Sequence, residues 1–221
     1  MTCCYTSSAS LTLTIWYPAR ILHRCSEANS APRKLAIRWP RQKQNARCPA
    51  AFSLFLITFF SLVCCPSNAQ QYPKNYIFLG LFTLAEGFML GVNASRFQTA
   101  DVMLAMGITF ALVAGLTAFA CTTRRDFTGA GPYLFVALFS FVLFGLFAVL
   151  FRSRMMSVVY CSLGVMLFGF YIVYDTQLIL GGDHKRKFGV DDYVFAALNL
   201  YLDIINLFLY VLSLVSNGNR R

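Results

Sequence analysis

Charge is scarce in this chain of 221 residues: 13% of them are Asp, Glu, Lys or Arg, where a soluble domain carries about 25%. Acids are rarer than bases, nine against nineteen, and only two histidines occur, His23 and His184. No C-x-x-C pair exists among the eight cysteines, so neither a zinc nor a haem site is expected. The cysteines read as small buried hydrophobes, with Cys64-Cys65 as the one candidate pair for lipidation. P-loop, G-x-S-x-G, H-E-x-x-H and EF-hand patterns are also missing, which leaves the chain without a recognisable enzyme motif. Hydrophobicity, by contrast, is abundant: 57% of residues are apolar, 22 are Phe, and the mean hydropathy is +0.59. That composition excludes a disordered chain and disfavours a soluble one.

From residue 50 onward, apolar runs alternate with short polar breaks. A helix needs about 20 apolar residues to cross a hydrocarbon core, and six segments approach that length: Ala50–Cys65, Asn75–Ala94, Val102–Cys121, Pro132–Phe151, Met156–Leu180 and Asp192–Ser216. None alternates apolar with polar residues as a membrane barrel strand would. The expected fold is therefore all-α, a polytopic membrane helix bundle of about six hydrophobic helices over residues 48–221, with the lipid bilayer as its first partner. Residues 1–47 stand apart. They hold eight bases against the single acid Glu27, so +7 of the formal charge of +10 lies there. This removes the case for a nucleic-acid partner and describes a basic, proline-broken, disordered leader, for which an alternative N-terminus without a structural role, a membrane-surface arm and a transit peptide are the readings. The loops of the body carry nearly balanced bases on its two sides, so the positive-inside rule alone does not orient it.

Ionisable residues inside spans are costly unless paired or hydrated, which makes each a functional candidate. Three qualify: Glu86, Asp175 and Asp203. Asp203 has Asn199 at i−4 and Asn206 at i+3, offsets that place all three on one helix face. Tyr171 lies one turn before Asp175 on its own helix. The fifth and sixth segments are expected to be antiparallel neighbours, with the two aspartates differing in depth by roughly 9 Å if both helices are straight. Were they to meet, two carboxylates in a low-dielectric site could not both ionise, and the pair would titrate as a unit. Deprotonated, it would offer hard oxygens to calcium, with Asn199, Asn206, carbonyls and water completing the ligand set. A purely structural pair satisfied by Tyr and Asn groups is the alternative. Glu86, beside the small residues Gly87 and Gly91, is either polar lining of an ion path or a protonated group at a helix contact.

The stretch Tyr174-Asp175-Thr176-Gln177-Leu178 with Gly181-Gly182, followed by Asp192-Tyr193 and by Asn199, Asp203 and Asn206, resembles the C-terminal signature of the Bax inhibitor-1 family. Cys64-Cys65-Pro66, Phe82-Thr83-Leu84 and Asp126-Phe127-Thr128 point to its Lifeguard, or glutamate-receptor-associated, branch. The resemblance implies a non-enzymatic, anti-apoptotic protein of the endoplasmic reticulum or Golgi, ahead of the mitochondrial or plasma membrane. It also implies a pH-sensitive calcium leak, with calcium the transported ion and no cofactor. Asp175 and Asp203 would be its gate, pH sensor and calcium-binding carboxylates, and Glu86, Asn199, Asn206 and Tyr171 its polar lining. Apoptosis regulators and calcium-release channels are the implied protein partners, and a non-conducting membrane adaptor acting on them is the alternative function. The family has seven hydrophobic segments, so the six here are expected to lack the first.

Overall fold

The computed structural model describes residues 53–61, 73–150, 153–181 and 193–219. These residues are almost wholly helical: α1 over 53–61, α2 Lys74–Ala94, α3 Thr99–Thr122, a 3-10 turn Thr128–Ala130, α4 Gly131–Leu150, α5 Arg154–Leu180 and α6 Tyr193–Asn219. No strand occurs among the described residues. The five helices α2 to α6 are each long and apolar enough to cross a bilayer. The basic leader, Cys64-Cys65, both ends of the first apolar segment and the loop containing Asp183 and Asp192 lie outside the described residues.

Helix ends follow local chemistry more than hydropathy. α3 begins three residues before its apolar run because Asp101 suits the first turn of a helix, where a negative charge meets the positive end of the dipole. Ser153 caps α5 by accepting from Met156 N at 3.0 Å. Gly181 stops α5 with φ 64 and ψ −131, a backbone conformation that a Cβ penalises. Pro132 sits in the first turn of α4, where its missing N–H removes no intrahelical bond.

Two units are described separately: α1 with α2, and α3 to α6. In the first, Phe55 and Phe59 of α1 close on Phe82 of α2, with ring centroids 5.2 and 6.1 Å apart. In the second, α6 is the most enclosed span. It runs antiparallel to α5: the Arg154 guanidinium donates to Asn217 O, Asn217 Nδ2 donates to Ser157 Oγ at 3.4 Å, and Tyr210 lies against Gly164. α3 starts beside the end of α6, where Asn219 Nδ2 donates to Asp101 Oδ1 at 2.6 Å, and further along Leu116 meets Gly169 of α5. α4 is stacked on α5 through Phe141 and Tyr160, centroids 4.4 Å apart. The outward faces are as apolar as the core: Phe110, Tyr133, Val136 and Phe170 are all exposed. Such faces demand lipid as their solvent, and the chain is a multi-pass membrane protein.

Candidate functional site: the aspartate pair between α5 and α6

Asp175 and Asp203 meet. Both are buried, and their carboxyl groups lie within hydrogen-bonding reach of one another. Neither helix breaks to achieve this. The register of the antiparallel pair does it instead: counting from the Gly164–Tyr210 contact, Asp203 comes level with Tyr171, so Asp175 is one turn, about 6 Å, further along. Two side chains span that offset. The 9 Å separation expected for straight helices is thus too large, because it assumed that depth is counted equally from the connecting loop.

Around the pair, Asn199 is buried on the Asp203 face and Asn206 is buried one turn beyond, its Nδ2 donating to Leu202 O at 2.8 Å. That bond ties the Asn206 amide nitrogen to its own helix. Tyr171 is half-buried beside both carboxylates, and its hydroxyl donates to Leu134 O of α4 at 3.0 Å. Asp203 Oδ2 has no hydrogen-bond partner among the described residues. A buried carboxylate oxygen left so is costly, and a proton, a water or a cation would relieve it. Among the described residues no third His, Cys, Asp or Glu joins the pair, so any cation here would be held by two carboxylates together with amide, carbonyl and water oxygens.

The comparison with known proteins bears directly on this arrangement. A family model described as inhibitor of apoptosis-promoting Bax1 matches residues 8–220, nearly the whole chain, including both aspartates. The chain belongs to the Bax inhibitor-1 family. Its similarity to lifeguard proteins is 35% identity over 173 residues to protein lifeguard 3 of Homo sapiens and 33% over 171 residues to that of Mus musculus. Each alignment covers 76% of this chain and 55% of that protein. Protein lifeguard 3 of Arabidopsis thaliana is 37% identical over 160 residues, 70% of this chain and 62% of that protein. The chain therefore spans little more than half the length of the curated mammalian relatives.

Glu86 of this Bax inhibitor-1 family chain belongs to the α1–α2 unit. It is half-buried, on the side of α2 shared with Phe82 and Met89. Within the α1–α2 unit, Gly87 and Gly91 are exposed, with nothing within 4 Å of an added Cβ. A span can expose glycine to lipid without a partner helix.

Gln177 was not singled out by the sequence, although an amide inside an apolar span is itself a signal of an obligatory partner. It is fully buried two residues after Asp175 and holds the α3–α4 connection with both ends of its amide. Its Nε2 donates to Arg125 O at 2.9 Å, and its Oε1 accepts from Phe127 N at 2.8 Å. The connection is stiffened from within by Asp126, whose carboxylate accepts from both the amide and hydroxyl of Thr128. Together with the Tyr171 bond to Leu134, this gives α5 two anchors on either side of Asp175. Residues 172–178 are consequently buried without interruption, enclosed on every face of the helix.

Proposed function

We propose that this chain forms a proton-regulated calcium leak across an internal membrane, the endoplasmic reticulum or Golgi, and that the leak serves the inhibition of cell death named in the description of its family. The observation that carries the reading is the meeting of Asp175 and Asp203 inside the α5–α6 pair with one carboxylate oxygen unpartnered. Two carboxylates at that distance share a proton and act as one group. Holding the proton, they bond to each other and keep α5 and α6 together. Losing it, they become like charges in a poorly screened site, separate, and present hard oxygens suited to calcium, with Asn199 and the Asn206 amide oxygen beside them. The flux is therefore expected to rise with pH and to fall as the pair is protonated.

Calcium flux in proteoliposomes tests this. Wild-type flux that climbs as pH is raised, with the pH dependence lost in Asp203→Asn and in Asp175→Asn, is the expected outcome. A flux indifferent both to pH and to Asp203→Asn overturns the gate. Protection from cell death that survives replacement of both aspartates would assign the protein instead to the adaptor class, acting on apoptosis regulators or calcium-release channels through helix and loop contacts.

A further inference from the structure

Asp203 is one member of a longer series. Asn199, Asp203, Asn206, Tyr210, Ser213 and Asn217 recur along α6 at intervals of four, three, four, three and four, which confines them to a stripe about 80° wide. The series runs for nineteen residues, eighteen steps or about 27 Å at 1.5 Å per residue, close to the roughly 30 Å of a hydrocarbon core. A heptad seam on a membrane helix is ordinarily apolar or small; here every position carries a polar atom. The first four are buried, so the stripe faces protein and not lipid.

The facing helix is known from its contacts. Asn217 meets Ser157, Tyr210 meets Tyr160, Gly164 and Phe168, and Asp203 meets Tyr171 and Asp175. The seam is thus polar at the aspartate end and polar again at the Asn217 end. Between them it is closed by an aromatic cluster centred on the Tyr210 ring. Tyr210 lies with its face on the Gly164 backbone: a Cβ added at Gly164 would sit 2.8 to 2.9 Å from three ring carbons. Phe141, Tyr160 and Phe168 surround that ring at centroid distances of 5.6, 5.8 and 5.7 Å. On α3, Thr109 is eight residues from Asp101 as Val211 is eight from Asn219, which sets it at the depth of the plug. Its buried hydroxyl has no hydrogen-bond partner among the described residues.

We propose that Tyr210 is an aromatic plug, seated on Gly164, which separates the aspartate half of a membrane-deep polar seam from its Asn217 half. The seam is the route by which an ion released from the aspartate pair reaches the opposite face. The inference rests on the leak reading for its consequence, not for its geometry. Gly164 is the residue that permits closure, since any side chain there displaces the ring, and Ser213, whose hydroxyl donates to Leu209 O, is the next oxygen of the stripe beyond it.

Two readouts test the plug. In a chain whose own cysteines are replaced by alanine, Ser213→Cys is labelled with a membrane-impermeant thiol reagent applied to the aspartate face. Labelling is expected to be slow with Tyr210 or Tyr210→Phe, which keeps the ring. It is expected to be about tenfold faster with Tyr210→Ala, the factor for lowering a barrier by about 1.4 kcal/mol. Leu209→Ala, one residue away on a different face, should leave it slow. Gly164→Ala, which retains the tyrosine but unseats it, should also speed labelling and serves if Tyr210→Ala does not fold. Calcium flux of the same variants should rise in the same order. Labelling that is equally slow in Tyr210→Ala and Gly164→Ala overturns the plug, even where Asp203-dependent flux upholds the leak. Faster labelling in a chain that carries no calcium upholds the plug and overturns the leak.

Discussion

At the scale of single residues, the polar groups inside this bundle divide by whether their partners are complete. Gln177 is complete: its amide satisfies one backbone carbonyl and one backbone N–H of the α3–α4 connection. Gln177→Ala leaves both without a side-chain partner and should destabilise the protein by about 1–3 kcal/mol, visible as a lower unfolding midpoint in detergent. Gln177→Glu should not rescue it, because an ionised carboxylate can still accept from Phe127 but cannot donate to Arg125 O. Asp203 is incomplete, which is why its substitution is expected to alter regulation. Replacing a partnered amide removes bonds; replacing Asp203 removes one carboxyl of a pair that shares a proton.

At the scale of elements, local chemistry ends some of the spans. α5 is the clearest case, with a serine cap at its start and a glycine at its stop. Gly181→Ala places a Cβ in a region of backbone space that L-residues avoid, at about 1–3 kcal/mol. The same drop in unfolding midpoint should follow, without loss of the Asp175–Asp203 contact, which lies more than a turn inside the helix. The spans α2 to α6 were legible in the sequence to within three residues, because length and hydropathy locate a span and local chemistry only trims its ends. The extension of α3 back to Thr99 and of α6 out to Asn219 was not, since polar residues carry both ends. They are held by one another: Asn219 donates to Asp101 across the two helices.

At the scale of the whole molecule, five helices between Lys74 and Asn219 are long and apolar enough to cross, an odd count from which the two ends of that region are expected on opposite faces. Glycosylation tags in the 66–74 segment and after Asn219 should report opposite sides, and a tag in the 181–191 loop should agree with the first. Two tags reporting one side across α2 to α6 would mean that one helix does not cross. The balanced loop charges could never have supplied the absolute orientation, because six bases on one side and five on the other exert nearly equal preferences.

What the sequence determined by itself is the membrane class, the approximate spans and the polar face of two helices: periodicity alone puts Asn199, Asp203 and Asn206 on one face of α6 and Tyr171 with Asp175 on one face of α5. What it left open is the slide of one span along its neighbour. Leucine against leucine and leucine against lipid are nearly equivalent, so an apolar helix has many axial positions of similar energy. The choice falls to a few contacts that no period encodes, the Tyr210 ring on Gly164 and the Asn217 bond to Ser157. Those contacts, with the Arg154 bond to Asn217 O, set the register that brings Asp175 to Asp203.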